Sequence, residues 1–415
     1  MSMNLRDYQI EISDKAAKML KYQRIAYLAM EVRTGKTITA IATAYKCGYK
    51  RILFVTKKKA IEDIIEQAKA MGFDMEIYIT NFEQLHKVEY GWDCVIIDEA
   101  HGLGAFPRPS KRAKELKRIC QHTPIIFLSG TPTPESYSQI YHQFWVSSYS
   151  PYKKYTNFYQ WAKDYVIVQK KYVFNRAIND YTMAYEEQIL KDIDPFMITY
   201  TQAQAGFEGL VEENIYYVRM EASTYKLADK LKRDKMYTGS DGDIVMADTA
   251  VKLMNKLHQV YSGSVIADEP ERKGIVFDYT KAEFIREKFN GKKIAIFYKF
   301  QAEYMALLWA FGSRVELDAA AFNKAGTDAV FISQIVSGRE GLNLSSADAL
   351  VFYNIDFSAT SYWQSRARIQ TKDRKESAQI YWIFSENGIE DKIYKEVINK
   401  RDFTLNHFRK EYNIK

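Results

Sequence analysis

Cysteine is nearly missing from this chain: Cys47, Cys94 and Cys120 are the three in 415 residues, far apart and with no C-x-x-C spacing. A disulfide scaffold and a structural zinc module are thereby excluded, and a reduced, cytoplasmic setting is expected. No apolar run approaches the ~18 residues that a membrane span needs, so no membrane partner is expected. The start, Met1-Ser2-Met3-Asn4-Leu5-Arg6-Asp7, lacks the apolar core of a signal peptide. Internal repeats are absent, and so is any nuclease or methyltransferase motif. At 47% hydrophobic and 27% charged residues the composition is that of an ordinary globular protein rather than a disordered one.

What is present is length, basic charge and aromatic side chains. A chain of 415 residues exceeds what one hydrophobic core usually serves, so two or three domains are expected. The net charge of +7 favours a polyanionic partner. The 31 tyrosines either fill cores or offer faces on which bases stack.

Up to about residue 148, short apolar runs alternate with amphipathic stretches. Ile25–Met30, Arg51–Thr56, Met75–Ile79, Cys94–Ile97 and Ile125–Leu128 read as strands, and Ile38–Lys46, Ala60–Ala70 and Lys111–Cys120 as helices. That alternation predicts a parallel sheet with helices on both faces. From 149 to 206 the pattern breaks. Pro151–Arg176 holds six basic residues, one acid (Asp164) and eight aromatics, and reads as an inserted accessory subdomain or linker. From 207 to 415 the alternation returns. Ile215–Met220, Lys293–Phe297, Ala329–Ile332, Ala349–Tyr353 and Ala378–Phe384 are expected strands; Thr249–Tyr261, Glu283–Asn290 and Ala302–Ala310 are expected helices, with one or two more over Ile389–Phe408.

Two motifs carry chemistry. Thr34-Gly35-Lys36-Thr37 follows a strand and opens a helix, although Met30 stands where G-x-x-x-x-G-K-[ST] has its first glycine. Gly35 lets the backbone approach a phosphate chain, and a helix N-terminus adds a positive dipole. Lys36 is placed to reach the outer phosphates and the Thr37 hydroxyl to bind Mg²⁺. Asp98-Glu99-Ala100-His101 ends the run Cys94–Ile97. Asp98 can hold the same Mg²⁺, and Glu99 can polarise an attacking water. The pair predicts hydrolysis of a nucleoside triphosphate.

With these elements in order, the chain resembles the superfamily 2 helicases, among them Swi/Snf-type translocases and phage-type DEAH-box enzymes, over nearly its whole length except roughly 149–206. Leu5-Arg6-Asp7-Tyr8-Gln9 is similar to the motif whose glutamine reads adenine, which implies ATP as the nucleotide, with Arg6, Gln9, Thr34 and His101 beside it. Ser129-Gly130-Thr131-Pro132 resembles motif III. Ser337-Gly338-Arg339-Glu340-Gly341-Leu342-Asn343-Leu344 resembles motif V and places Gly341 near the nucleotide. Gln364-Ser365-Arg366-Ala367-Arg368 resembles motif VI, whose pattern Q-x-x-x-R-x-x-R puts Gln364 and the catalytic Arg368 at ATP. The second arginine position is Thr371, and Arg366 and Arg374 are the nearby candidates for its charge. The implied fold is two tandem RecA-like domains bound to ATP and Mg²⁺, working as a monomer in a bacterial or phage-infected cytoplasm.

The same resemblance implies a nucleic-acid track, with DNA favoured over RNA. It is contacted by Thr56 and Lys57, by Thr80, Asn81 and Phe82, and in the second domain by Lys299, Ser333 and Gln334. Lysines, hydroxyls and backbone N–H groups suit phosphate oxygens and grip without reading sequence. Lys57-Lys58-Lys59 reads equally as a solvated helix start. The basic loop Phe106–Lys114 reads as a backbone contact or a solvated edge. In the insert, Tyr152, Tyr155, Tyr159, Trp161, Tyr165 and Tyr172 interleave with lysines, as in a strand-holding groove or a small aromatic core. The expected activity is an ATP-dependent DNA helicase or translocase that moves along or remodels DNA, branched DNA included. An ATP-gated nucleic-acid clamp or loader is the alternative that Thr371 keeps open, and a small-molecule phosphotransferase would leave 329–368 unexplained.

Overall fold

The structure, a computed structural model, describes residues 5–134, 136–173, 176–206, 211–338, 342, 344–366, 368–369 and 377–398. It divides into two compact units, 1–207 and 208–415. Among the described residues no helix is long and apolar enough to cross a membrane.

Short apolar runs become parallel strands, buried on both sides in the middle of a sheet and partly exposed at its edges. In the first unit these are β1 (Ile25–Met30), β2 (Arg51–Thr56), β3 (Glu76–Asn81), β4 (Cys94–Ile97), β5 (Ile125–Leu128) and β6 (Met197–Tyr200). They build one six-stranded parallel sheet in the order β3-β2-β4-β5-β1-β6. Alternation along β1 feeds two cores. Ile25 and Tyr27 face helices Lys111–Cys120, Gln139–Trp145 and Phe158–Tyr165. Ala26, Leu28 and Met30 face α1 (Asp7–Gln23), α2 (Lys36–Lys46) and α3 (Ile61–Met71). α1 was not among the expected elements, although Ile12, Ala16 and Leu20 recur at the four-residue spacing of one helix face and are buried.

The stretch 149–206 contributes helix Phe158–Tyr165, an antiparallel ribbon of Gln169–Val173 and Arg176–Asp180, helix Glu186–Ile193, and β6, whose Met30–Tyr200 pairing edges the main sheet. Tyr152, Trp161 and Tyr165 share the apolar cluster of Tyr27 and Phe127. Trp161 stacks on Tyr165 at 5.0 Å and 6°. Of the rings offered as a base-stacking set, these three therefore fill a core, Tyr155 is half-buried, and Tyr159 is exposed. The side chain of Tyr172 lies outside the described part.

The second unit repeats the design. Strands β7 (Val211–Val218), β8 (Ile294–Tyr298), β9 (Val315–Glu316), β10 (Val330–Gln334), β11 (Ala349–Phe352) and β12 (Ala378–Ser385) form a second six-stranded parallel sheet, order β9-β10-β8-β11-β12-β7. Its interior carries charge: Lys281 and Glu390, both wholly buried, pair at 2.6 Å. His258 Nε2 meets Asn354 Oδ1 at 2.6 Å, and Asn354 donates to buried Glu303 at 2.5 Å. Burial holds the His258 imidazole well below its ordinary range.

Candidate nucleotide site

Strands β4, β5 and β1 are neighbours, so the loops at their carboxyl ends converge on one edge of the first sheet. The loop after β1 is the candidate phosphate loop. Met30 is still in the strand ladder opposite Tyr200, so the missing glycine falls where the backbone is extended and any side chain fits. Arg33 (φ +64°) and Gly35 (φ +80°) are left-handed. Thr34 is buried, and its hydroxyl donates to the Glu31 carbonyl at 2.7 Å. Lys36 begins α2, and its Nζ reaches the Glu31 carbonyl at 3.5 Å. A Cβ on Gly130 would stand 3.7 Å from that Nζ, so the loop after β5 closes on the lysine. Thr37 is half-buried in the first turn of α2.

The N-terminus of α1 supports this loop from outside. Arg6 precedes the helix and is exposed; its backbone N–H donates to Gln9 Oε1 at 2.9 Å. Gln9 is buried, and a Cβ on Gly35 would lie 2.1 Å from Gln9 Nε2; the left-handed φ of +80° is what favours glycine there. Tyr8 and Tyr200 stack at 4.8 Å.

At the end of β4, Asp98 accepts the Thr56 hydroxyl at 2.8 Å and the Glu99 N–H at 3.0 Å. Burial and then the Glu99 charge push its carboxyl up to about 6, against the pull of Lys36 and Thr56. Glu99 holds a left-handed φ of +49°. His101 Nδ1 lies 3.2 Å from Glu99 Oε2 and 3.0 Å from Ser129 Oγ, which also accepts the Thr131 N–H at 3.1 Å. The acidic loop and the Ser129–Pro132 loop are thus joined through one imidazole. Beneath them, buried Tyr27 donates to Gln143, which donates to the Pro132 carbonyl. The Thr37 hydroxyl and Asp98 carboxylate are hard oxygen ligands that fit Mg²⁺, an ion commonly held by one or two protein oxygens, waters and phosphates. Among the described residues no group of three or more His, Cys, Asp or Glu could cage a metal.

The expected nucleic-acid residues of this unit are mostly turned inward. Thr56 is wholly buried on Asp98, and Thr80 and Phe82 are buried. The Asn81 side chain caps the following turn, accepting from the Glu83 and Gln84 N–H groups. Lys57 is half-buried, and Arg112 of the basic loop pairs with Glu83 at 2.6 Å.

In the second unit Lys299 pairs with Asp356 at 2.5 Å and lies 4.1 Å from the centre of the Phe357 ring. Against the burial that opposes ionisation, Lys299 and Ser361 hold the Asp356 carboxyl below its ordinary range. Gln334 Nε2 donates to the Lys299 carbonyl at 2.8 Å, and half-buried Ser333 sits beside it. Gln364 is buried in helix Ala359–Arg366. Arg366 pairs with Glu213, which also accepts from Tyr362, Trp382 and Tyr394. The half-buried Arg368 presents its carbonyl to the Leu344 N–H at 3.2 Å, tying the motif V and motif VI segments together. Gly341, Thr371 and Arg374 lie outside the described residues. Sequence reasoning missed Glu31, Gln202, Glu213 and Asp356. Glu31, directly after β1, and Asp356, four residues after β11, carried one signal, an acid following a strand.

Tandem RecA-like units, the first with a phosphate loop and an acidic pair at the carboxyl edge of its sheet, define a chain of the superfamily 2 helicase class. A family model described as SNF2-related domain matches residues 53–266, and one described as type III restriction enzyme, res subunit, matches residues 2–74. The chain belongs to the SNF2-related domain family. It is similar to the DNA repair and recombination protein RAD54B of Mus musculus, 33% identical over 79 residues, 19% of this chain and 9% of that protein. Helicase SWR1 of Candida glabrata is 25% identical over 201 residues, 41% of this chain and 14% of that protein. Chromodomain-helicase-DNA-binding protein 8 of Danio rerio is 21% identical over 370 residues, 80% of this chain and 14% of that protein. The matched part of the chain therefore spans 9% to 14% of the length of these curated relatives.

Proposed function

We propose that this chain is an ATP-dependent DNA translocase of helicase type. The observation that carries the reading is the convergence of Lys36, Asp98, Glu99, His101 and Ser129 at one sheet edge. Lys36 and the N-terminus of α2 bind the triphosphate, and Thr37 and Asp98 hold Mg²⁺. When bound, that ion neutralises charge on the phosphate oxygens. Glu99 orients the attacking water and accepts its proton. His101 reports the state of Glu99 to Ser129, so the acidic loop and the Ser129–Pro132 loop move as one. By the family resemblance, Arg368 is proposed to stabilise charge on a transferring phosphoryl group. The relatives named for DNA repair, DNA binding and helicase activity support DNA as the track.

The test is ATP turnover at fixed salt with no nucleic acid, single-stranded DNA, duplex DNA, branched DNA and RNA. Strong stimulation by a DNA form, abolished in Lys36→Ala and Glu99→Gln, is the expected result. Equal turnover in every mixture, or full turnover in either variant, overturns the reading.

A further inference from the structure

We propose that Tyr8 and Gln202, two residues outside the phosphate loop, set its anion-binding geometry by holding two of its carbonyls outward. The inference rests on the reading of residues 31–37 as a triphosphate site and deepens it.

In a trans peptide unit the C=O and the following N–H point in opposite directions. The Val32–Arg33 and Thr34–Gly35 bonds are both trans. The Val32 carbonyl accepts from Gln202 Nε2 at 2.9 Å, and the Thr34 carbonyl accepts from the Tyr8 hydroxyl at 3.0 Å. The N–H groups of Arg33 and Gly35 are therefore turned away from those two side chains. These are the N–H groups of the two left-handed residues, with φ of +64° and +80°. Backbone of alternating hand brings successive N–H groups together into an anion-binding concavity.

Arg33 carries a Cβ, so its left-handed backbone is costly and persists only where its surroundings over-determine it. The surroundings do so from one side. The Glu31 N–H donates to the Tyr200 carbonyl at 2.9 Å, and the Gln202 N–H donates to Glu31 Oε2 at 2.8 Å. The Gln202 turn is itself closed by the Thr201 N–H on Gln204 Oε1 at 2.8 Å. The Tyr8 ring is held flat on Tyr200, 16° from parallel. The first turn of α1 and the tail of β6 thus clamp the outer side of the loop and leave its inner side to the ligand. Gln202 and Tyr8 are positioning residues: they touch the loop rather than the nucleotide.

Tyr8→Phe removes one hydroxyl and keeps the stacked ring; Gln202→Met keeps the side-chain length and removes the donor. Both are made in the full chain, alone and together. Three quantities are read: Kd for ATP and ADP by titration, kcat and KM for ATP at saturating DNA, and the Tm without nucleotide. Each single variant is expected to raise Kd and KM ~10-fold, equivalent to ~1.4 kcal/mol, with kcat within about 2-fold and Tm nearly unchanged. The double variant is expected to lose more than either single one. Wild-type affinity in both variants overturns the inference, as does a fall in Tm with no change in Kd. Failure of the parent chain itself to bind ATP overturns the triphosphate reading and this inference with it. Tight binding by the parent and unchanged binding by the variants overturns this inference alone.

Discussion

Replacing Thr56 by valine separates two roles for one residue. The resemblance to helicases puts Thr56 on the nucleic-acid backbone, whereas its side chain is wholly buried with the hydroxyl 2.8 Å from Asp98 Oδ2. Valine keeps the shape of threonine and deletes only the hydroxyl. A hydrogen bond to a charged acceptor is worth roughly 1.5–3 kcal/mol, and the buried position leaves little water to replace it. Asp98 already resists ionisation, its carboxyl standing at about 6 because of burial and Glu99, so the loss of a donor falls on the carboxylate proposed to hold Mg²⁺. A reduction in kcat/KM for ATP of roughly 10-fold to 40-fold is expected, converting the lower half of that energy range at 1.4 kcal/mol per decade. DNA affinity should be unchanged. The assay pairs steady-state ATP turnover at saturating DNA with DNA binding measured across a salt series. For duplex DNA, each phosphate that the protein ceases to neutralise makes the slope of log K against log salt shallower by about 0.9. Unchanged kcat/KM together with weaker DNA binding and a shallower slope would refute the placement of Thr56 on Asp98.

Three further outcomes follow from the cores. Glu390→Gln leaves Lys281 buried and charged, so the second unit should lose ~3–5 kcal/mol in urea unfolding, and the double variant Lys281→Met/Glu390→Leu should recover most of it. Trp161→Ala should cost the first unit ~3–5 kcal/mol, whereas Tyr159→Ala, at a ring 45% exposed, should cost under ~1 kcal/mol; equal costs would contradict the packing. His142 is buried, donating to the Ala105 carbonyl, and burial lowers its imidazole to about 4. The unfolded chain takes up that proton near pH ~6.5 and the folded chain does not, so stability falls as pH drops from ~6.5 to ~4, by about 3 kcal/mol in all. His142→Asn should flatten that part of the stability curve of the first unit, and an unchanged curve would show that His142 does not set it.

Several strands could be read directly because each is a short run without a polar face: β1, β2, β4 and β5 occupy the spans expected from their residues. β3 lies one or two residues further along than its apolar pattern implied, at Glu76–Asn81, since pairing with β2 carries it through Asn81. The candidate phosphate loop and acidic pair stood out for the same local reason, residues of a particular chemistry directly after a strand. The aromatic insert was not. Tyr152, Tyr159 and Trp161 alternate with lysines in one stretch, and nothing in that stretch says which rings point inward; two are buried and Tyr159 is exposed.

The sequence by itself determined the class of architecture, the sheet edge that carries the candidate site and the residue types available there. Each of those rests on periodicity and on neighbours a few positions apart. Strand order does not, because any apolar run can lie beside any other, and order decides which loops meet. Only the tertiary structure brought β4, β5 and β1 side by side and so joined His101 to Ser129. It alone placed Thr56 under Asp98 rather than on a track, set Glu213 against Arg366, and carried Gln202 across 170 positions to the Val32 carbonyl. A hydrogen bond demands about 3 Å between its partners, and that distance is fixed by the sheet that holds them, not by the residues that make it.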